Sequence, residues 1–139
     1  MLVFDHTIPT KANDARKLEQ QSKTSQRVVL LNVWKPICKC VEDIPLAMCD
    51  VTSSPPEDFF KLYLRYQERT GENYVMRHNP AHKWYYFPQM TPDKVILLKT
   101  YDSDKNRAQF VGHSAFKDPT SKPDAPIRES VEIRTIAFF

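Results

Sequence analysis

Near the C-terminal end, Arg128-Glu129-Ser130 opens a run, Val131 to Phe138, whose branched and aromatic residues predict a strand. Residues two apart in a strand share a face, so Arg128 and Ser130 point the same way, about 6–7 Å apart. A guanidinium fork with a hydroxyl at that distance suits a single carboxylate, through two charge-assisted hydrogen bonds and one neutral one. Arg134 has the same parity and is the second candidate for that anchor. Fifteen residues before Arg128 stands His113, so the order is strand, histidine, proline-rich loop, then Arg-x-Ser opening the final strand. His82, Trp84 and Tyr86 share a parity of their own and could line a pocket or pack in a core. Cys38, Cys40 and Cys49 lack the spacing of a zinc ribbon, and no nearby histidine completes a tetrahedral site, so they read as free thiols. Asp102-Ser103-Asp104 reads as a turn, since a calcium loop needs a longer acidic array and a glycine.

Several elements must position these groups. Arg27 to Trp34 is short, apolar and branched, a buried strand stopped by Pro36. Ile44 to Asp50 is a second apolar stretch of open type. Ser53-Ser54-Pro55-Pro56-Glu57-Asp58 has a hydroxyl cap, an early proline and two acids, and Phe59, Leu62, Tyr63 and Tyr66 follow at helical spacing. This predicts one helix ending at Gly71. Strands are predicted over Asn73 to Arg77, Lys83 to Phe87, Lys94 to Thr100, Ala108 to Val111 and Ser130 to Phe138, punctuated by prolines and by the Asp102 turn. Residues 9–27 are polar without a period. The expected fold is mainly β with one clear helix, a single domain over 1–139 built as a β-sandwich or jelly roll.

Composition narrows the function. There are two glycines, Gly71 and Gly112, and 11 prolines in 139 residues. A phosphate-cradling loop needs several glycines within a few residues, which excludes a Rossmann or P-loop nucleotide enzyme. A net charge of +3, with 20 basic residues interspersed among 17 acidic ones, is no nucleic-acid footprint. No apolar run approaches the ~18 residues of a membrane span. Three cysteines, an odd number, suggest no disulfide framework, and the expected compartment is the cytoplasm.

Six runs then occur in order: Asn32 to Ile37 (NVWKPI), Asp43 to Asp50 (DIPLAMCD), Asn79 to Pro88 (NPAHKWYYFP), Leu97 to Ser103 (LLKTYDS), His113 to Pro119 (HSAFKDP) and Pro123 to Ser130 (PDAPIRES). Together they resemble the fungal hydroxylase/desaturase family typified by the aspergillic acid enzyme AsaB, with the cephamycin methoxylation protein CmcJ as a relative. The resemblance spans roughly residues 28 to 139, and the Trp-Tyr-Tyr-Phe-Pro run is its most specific part. It implies a partial double-stranded β-helix (jelly roll) and an oxidoreductase of the Fe(II)/2-oxoglutarate type that hydroxylates or desaturates a small molecule in secondary-metabolite (mycotoxin) biosynthesis. Carried over, it makes His113 the distal iron ligand and Arg128, helped by Ser130, the 2-oxoglutarate anchor, with Arg134 second. A facial triad needs two histidines and a carboxylate, and the family supplies the first pair as His-x-Asp before the Asn-Val-Trp run. This sequence has no histidine between His6 and His78 and no His-x-Asp or His-x-Glu anywhere. Hence the alternative expectation: a catalytically inactive, truncated family member or partner subunit, with an exposed sheet edge favouring self-association.

Overall fold

The computed structural model describes residues 2–3, 27–67 and 70–139. The polar 9–27 stretch lies almost wholly outside them, as does His6. Among the described residues nine strands form three antiparallel sheets: β1 (Leu2–Val3), β2 (Val28–Pro36), β3 (Leu46–Cys49), β4 (Phe59–Arg65), β5 (Thr70–Met76), β6 (Trp84–Tyr86), β7 (Ile96–Asp102), β8 (His113–Ala115) and β9 (Ser130–Phe138). The strand orders are β1-β5-β4, β7-β2-β9 and β6-β3-β8.

β2 is central because its branched apolar residues suit a pleated, doubly flanked position. Pro36 forms its last position, where a missing N–H costs least. β2 pairs with β9 over its whole length, from Val28↔Phe138 to Pro36↔Ser130, and with β7 through a register shift between Leu30 and Leu31. Directly paired residues share a face. One face of this sheet therefore presents Trp34, Ile96 and Leu98, which join Val41, Leu46 and Met90 in the main apolar cluster. Leu46 and its same-face neighbour Met48 belong to β3, so the β7-β2-β9 and β6-β3-β8 sheets pack against each other. On the opposite face of β3, Cys49 packs with Met76 of β5, and with Phe59 and Trp84, against the remaining sheet.

The fold is mainly β, as expected, but the expected helix is absent. Its start signal is spent on two single 3-10 turns, Val51–Ser53 and Pro56–Asp58, the first capped by the Asp50 side chain accepting from the Thr52 N–H. Phe59 to Arg65 is strand β4. The run Phe-Phe-Lys-Leu-Tyr-Leu-Arg satisfies both periods, and its aromatic content and pairing with β5 decide for the strand. Phe59 and Tyr74 both contact the Phe110 ring at 5.0 Å between centroids, contacts a helix would not present across two strands. Gly71 is no helix cap; it lies in β5 opposite Leu64. Ala108 to Val111 is likewise not a strand, and the next strand begins at His113.

A charged lock closes the β2-β7 end. The Asp102 carboxylate, fully buried, accepts from Arg27 Nε (2.9 Å) and Nη2 (2.7 Å), from Lys99 Nζ (2.7 Å) and from the Asp104 N–H (3.1 Å). The Arg27 guanidinium hydrogen bond, above all, holds this carboxyl far below the usual carboxylate range, against the opposing pull of burial. Because the folded form holds the proton more weakly than the unfolded chain does, the lock stabilises fully above about pH 4, and that stabilisation drains away as pH falls toward the depressed value. Asp102→Asn is expected to lower the thermal midpoint at pH 7 and to flatten its decline between about pH 4 and 2. An unchanged acid limb in a pH series of thermal melts would count against the lock.

Candidate functional site

β8 pairs with β3 in the register Leu46↔Ala115, Ala47↔Ser114 and Met48↔His113. His113 therefore shares a face with Met48 and Leu46, the face that packs on Trp34, Ile96 and Leu98. Its ring is turned to the space between the two sheets and is buried. Nδ1 lies 3.1 Å from the Val111 carbonyl oxygen, which can only accept, so Nδ1 carries a proton, and in the neutral form of the ring the lone pair is on Nε2. That tautomer is the one an imidazole uses to ligate a metal through Nε2. The neighbouring Gly112 is needed for close approach: a Cβ there would stand 3.3 Å from Met76 Sδ and 3.5 Å from the Phe59 ring.

The opposite wall carries the arginines. By register with β2, Ser130, Glu132 and Arg134 share the face of Pro36, Trp34 and Asn32. Arg128 precedes the strand and is pinned twice: Nη1 donates to the Ile44 carbonyl at 2.7 Å, and Cζ sits 5.6 Å from the centre of the Trp34 ring. Among the described residues no carboxylate lies within 4 Å of it. Burial, as the leading cause, pulls this guanidinium below its ordinary pKa, with Cys38 and Asp43 opposing at longer range. Ile44 adopts φ 47°, a left-handed conformation that costs a β-branched residue strain and orients its carbonyl toward Arg128. By strand parity His113 lies on the β3-β8 face that packs toward the β7-β2-β9 sheet, and Ser130 and Arg134 lie on the face of β9 that shares its side with Trp34, on whose ring Arg128 sits.

Trp84 and Tyr86 lie elsewhere. In β6 they pair with Cys49 and Ala47, and so project from the sheet face opposite His113. There they line an apolar cavity of about 350 Å³ with Ala47, Ser114, Ala115 and Phe116. His82 does not line it. Its Nε2 donates to Asp58 Oδ2 at 3.0 Å, where Arg77 Nη2 (2.9 Å) and Asn79 Nδ2 (2.8 Å) also donate. Asn79 and Arg77, the largest of these influences, hold the Asp58 carboxyl below its usual range. This knot ties the Pro56–Asp58 turn to the loop before β6.

Sequence reasoning missed two polar groups of the inter-sheet wall. Asn32 is buried and its Nδ2 donates to Glu132 Oε1 at 2.8 Å; Glu132 Oε1 lies 3.9 Å from Arg134 Nε. The available signal was a lone Asn within the apolar run Val-Val-Leu-Leu-Asn-Val-Trp, since a buried amide demands a partner.

A facial triad asks for two imidazoles and a carboxylate. Among the described residues no three His, Cys, Asp or Glu side chains cluster so as to hold a metal. His113 is one donor, and the described donor set does not by itself make an iron site. Arg128, with no carboxylate within 4 Å among the described residues, is a fixed, half-buried cation of the kind that binds carboxylates.

The family model described as "Oxidoreductase/YMDC permease-like domain" matches residues 5–138. A hydroxylase/desaturase, asaB of Aspergillus flavus, is 32% identical over 98% of this chain and 66% of its own length. The chain belongs to the fungal hydroxylase/desaturase family. Another similar protein, the hydroxylase/desaturase efuI of Hormonema carpetanum, is 39% identical over 79% of this chain and 40% of its own length. A solved structure of an iron and alpha-ketoglutarate-dependent endoperoxidase, NvfI, superposes with a TM-score of 0.77 at 32% identity, over 91% of this chain and 45% of that one. The chain spans about half or less of the length of most of these family members. Among the described residues no helix is long and apolar enough to cross a membrane.

If Ile44 is held in its left-handed conformation by its place beneath Arg128, Ile44→Gly should be nearly free, with a stability change within ~1 kcal/mol, because glycine relieves strain there. Leu46→Ala, two residues on and in the core, should cost ~3 kcal/mol. Urea denaturation of both variants decides, and a loss at position 44 as large as at position 46 would contradict the geometry.

Proposed function

We propose that this chain serves an oxidoreductase reaction, hydroxylation or desaturation, on a small molecule of secondary metabolism, with Fe(II) and 2-oxoglutarate as its cofactor and co-substrate. The observation that carries the reading is the Arg128 guanidinium: half-buried, without an acid partner among the described residues, and pinned by the Ile44 carbonyl and the Trp34 ring. Its Trp34 contact lies on the sheet face that packs toward the sheet carrying His113. The names of similar proteins support the same chemistry: one is an alpha-ketoglutarate-dependent dioxygenase, phiK, and another an Fe(II)/2-oxoglutarate-dependent dioxygenase, nvfI. The comparisons do not favour the inactive alternative.

In this reading Arg128 would hold a carboxylate of 2-oxoglutarate. Its guanidinium fork keeps N–H groups beyond the one spent on Ile44, and Ser130 adds a hydroxyl on the same face. Arg134 is the alternative anchor, drawn toward Glu132. Trp34 and Leu98 form a dry floor that strengthens a charge pair by lowering the local dielectric. His113 takes one metal position through Nε2. The partially closed double-stranded β-helix belongs to this reading, as does a cytoplasmic location without nucleic-acid or membrane partners, which three free cysteines suit.

At ten times its Kd, 2-oxoglutarate is expected to stabilise the fold by about 1.4 kcal/mol and to raise the thermal midpoint by roughly 4 °C. Arg128→Ala should remove that protection, whereas equal protection in the variant would discard the clamp. Independently, anaerobic Fe(II) titration should show stoichiometric binding that His113→Ala abolishes. Failure of the unaltered protein to bind iron would overturn the metal assignment while leaving the carboxylate clamp to be judged by its own test.

A further inference from the structure

The ladder that joins β9 to β2 fixes which side chains crowd together. Arg27 and Phe139 exchange both backbone bonds (3.3 and 2.9 Å), and the Ile37 N–H donates to the Glu129 carbonyl at 2.9 Å. Bonded and non-bonded pairs alternate in an antiparallel ladder, so in this register Asn32↔Arg134 and Trp34↔Glu132 are non-bonded pairs. Such pairs hold their Cα atoms about 4.5 Å apart and bring their side chains closest. Glu132 therefore leaves β9 beside Trp34, whose ring centre lies 5.6 Å from Arg128 Cζ. Asn32 is the neighbouring β2 residue on the same face, diagonal to Glu132 and within reach of a long side chain. The carboxylate thus stands between two destinations, the Trp34 and Arg128 end or the Asn32 and Arg134 end. It lies at the second. Asn32 Nδ2 donates to Glu132 Oε1 at 2.8 Å, and the same oxygen lies 3.9 Å from Arg134 Nε. A carboxylate only accepts, so this bond also fixes which end of the amide points to Glu132.

We infer that Asn32 is a positioning residue for the carboxylate clamp: by holding Glu132 toward Arg134, it keeps an internal carboxylate off Arg128. The inference rests on the reading of Arg128 as the anchor of 2-oxoglutarate, and adds what keeps that anchor open. A guanidinium within reach of a carboxylate on its own sheet face pairs with it, and a ligand then has to displace that pair. Glu132 is the acid placed directly beside the Trp34 platform, so it is the competitor to be held away. Arg134 alone is a weak hold, since a 3.9 Å pair with its side chains 49% and 31% exposed contributes little. Asn32 supplies the short, directional bond, from a nearly buried side chain on the central strand, where it pairs with Leu98 and Arg134. A leucine there would pack against Leu98 and leave no amide to satisfy, so stability alone does not call for asparagine. The bond sorts the charges of this face: Arg134 shares an acid, and among the described residues Arg128 has no carboxylate within 4 Å.

Two measurements separate this inference from the reading beneath it. In thermal-shift titrations with 2-oxoglutarate, Asn32→Leu frees Glu132 and is expected to weaken binding roughly tenfold. Adding Glu132→Gln removes the competing charge and should bring the affinity back to within about twofold of the unaltered protein. A purely structural role for Asn32 gives no such rescue. The second measurement needs no ligand. In the unaltered protein Glu132→Gln and Arg128→Ala should shift the thermal midpoint additively, because the two residues make no ion pair. In the Asn32→Leu background they should become non-additive by roughly 4 °C, because Glu132 then pairs with Arg128. Additivity in both backgrounds overturns the inference. So does an Asn32→Leu protein that binds 2-oxoglutarate as tightly as the unaltered one, or one whose weakened binding Glu132→Gln leaves uncorrected. Coupling that appears as expected in a protein that 2-oxoglutarate does not protect would discard 2-oxoglutarate as the occupant, while upholding Asn32 as the residue that steers Glu132.

Discussion

The contact between two faces, Trp34, Ile96 and Leu98 on one sheet and Leu46 with Met48 on the other, holds the rest of this structure in place. Each sheet is narrow: β6-β3-β8 contributes strands of three or four residues, too short to persist alone. Pressing them onto the long β7-β2-β9 sheet removes Leu98 wholly from water. It also fixes which side of β8 turns inward, because a one-residue slip would turn His113 to the far side. The position of the imidazole is thus a consequence of apolar packing two residues away, at Met48 and Leu46.

Polar groups are admitted to that interface only with partners, and the partners define the candidate site. Asn32 enters the floor bonded to Glu132, which lies near Arg134. Arg128 enters bonded to a carbonyl and stacked on an indole, and among the described residues no carboxylate lies within 4 Å of it. Asp102 shows the contrast. It is fully buried, where Arg128 is half-buried, yet it is surrounded by Arg27, Lys99 and an amide N–H, and so it is a lock with nothing left to offer a ligand. Asp58, with Arg77, Asn79 and His82, is a second closed knot of that kind. The difference between a satisfied ion cluster and a cation with no ion-paired acid among the described residues is what separates scaffold from candidate site here.

Strand β9 serves two ends. Its inner edge completes the ladder with β2, and its even-numbered side chains furnish Ser130, Glu132 and Arg134 to the inter-sheet wall. The same residues direct their backbone groups outward, because a strand has only two sides.

Much of this was legible in the sequence because it depends on local periods. Val28 to Pro36, Ile96 to Asp102 and Ser130 to Phe138 carry branched residues in short runs, and the parity of Ser130 and Arg134 follows from the pleat alone. The six runs that resemble the fungal hydroxylase/desaturase family identified that family without coordinates. Phe59 to Arg65 was misread because aromatic and leucine residues at mixed spacing satisfy a helical and an extended period together, and only pairing with Thr70–Met76 chose between them. Nor could spacing show that Trp84 and Tyr86 turn away from His113, since that depends on the register of β6 and β8 on either side of β3. The same holds for Asn32 meeting Glu132 a hundred residues on. The sequence by itself determined the β class and the family. The tertiary structure decided which residues face one another, because facing depends on register and sheet packing, and those are set between segments and not within them.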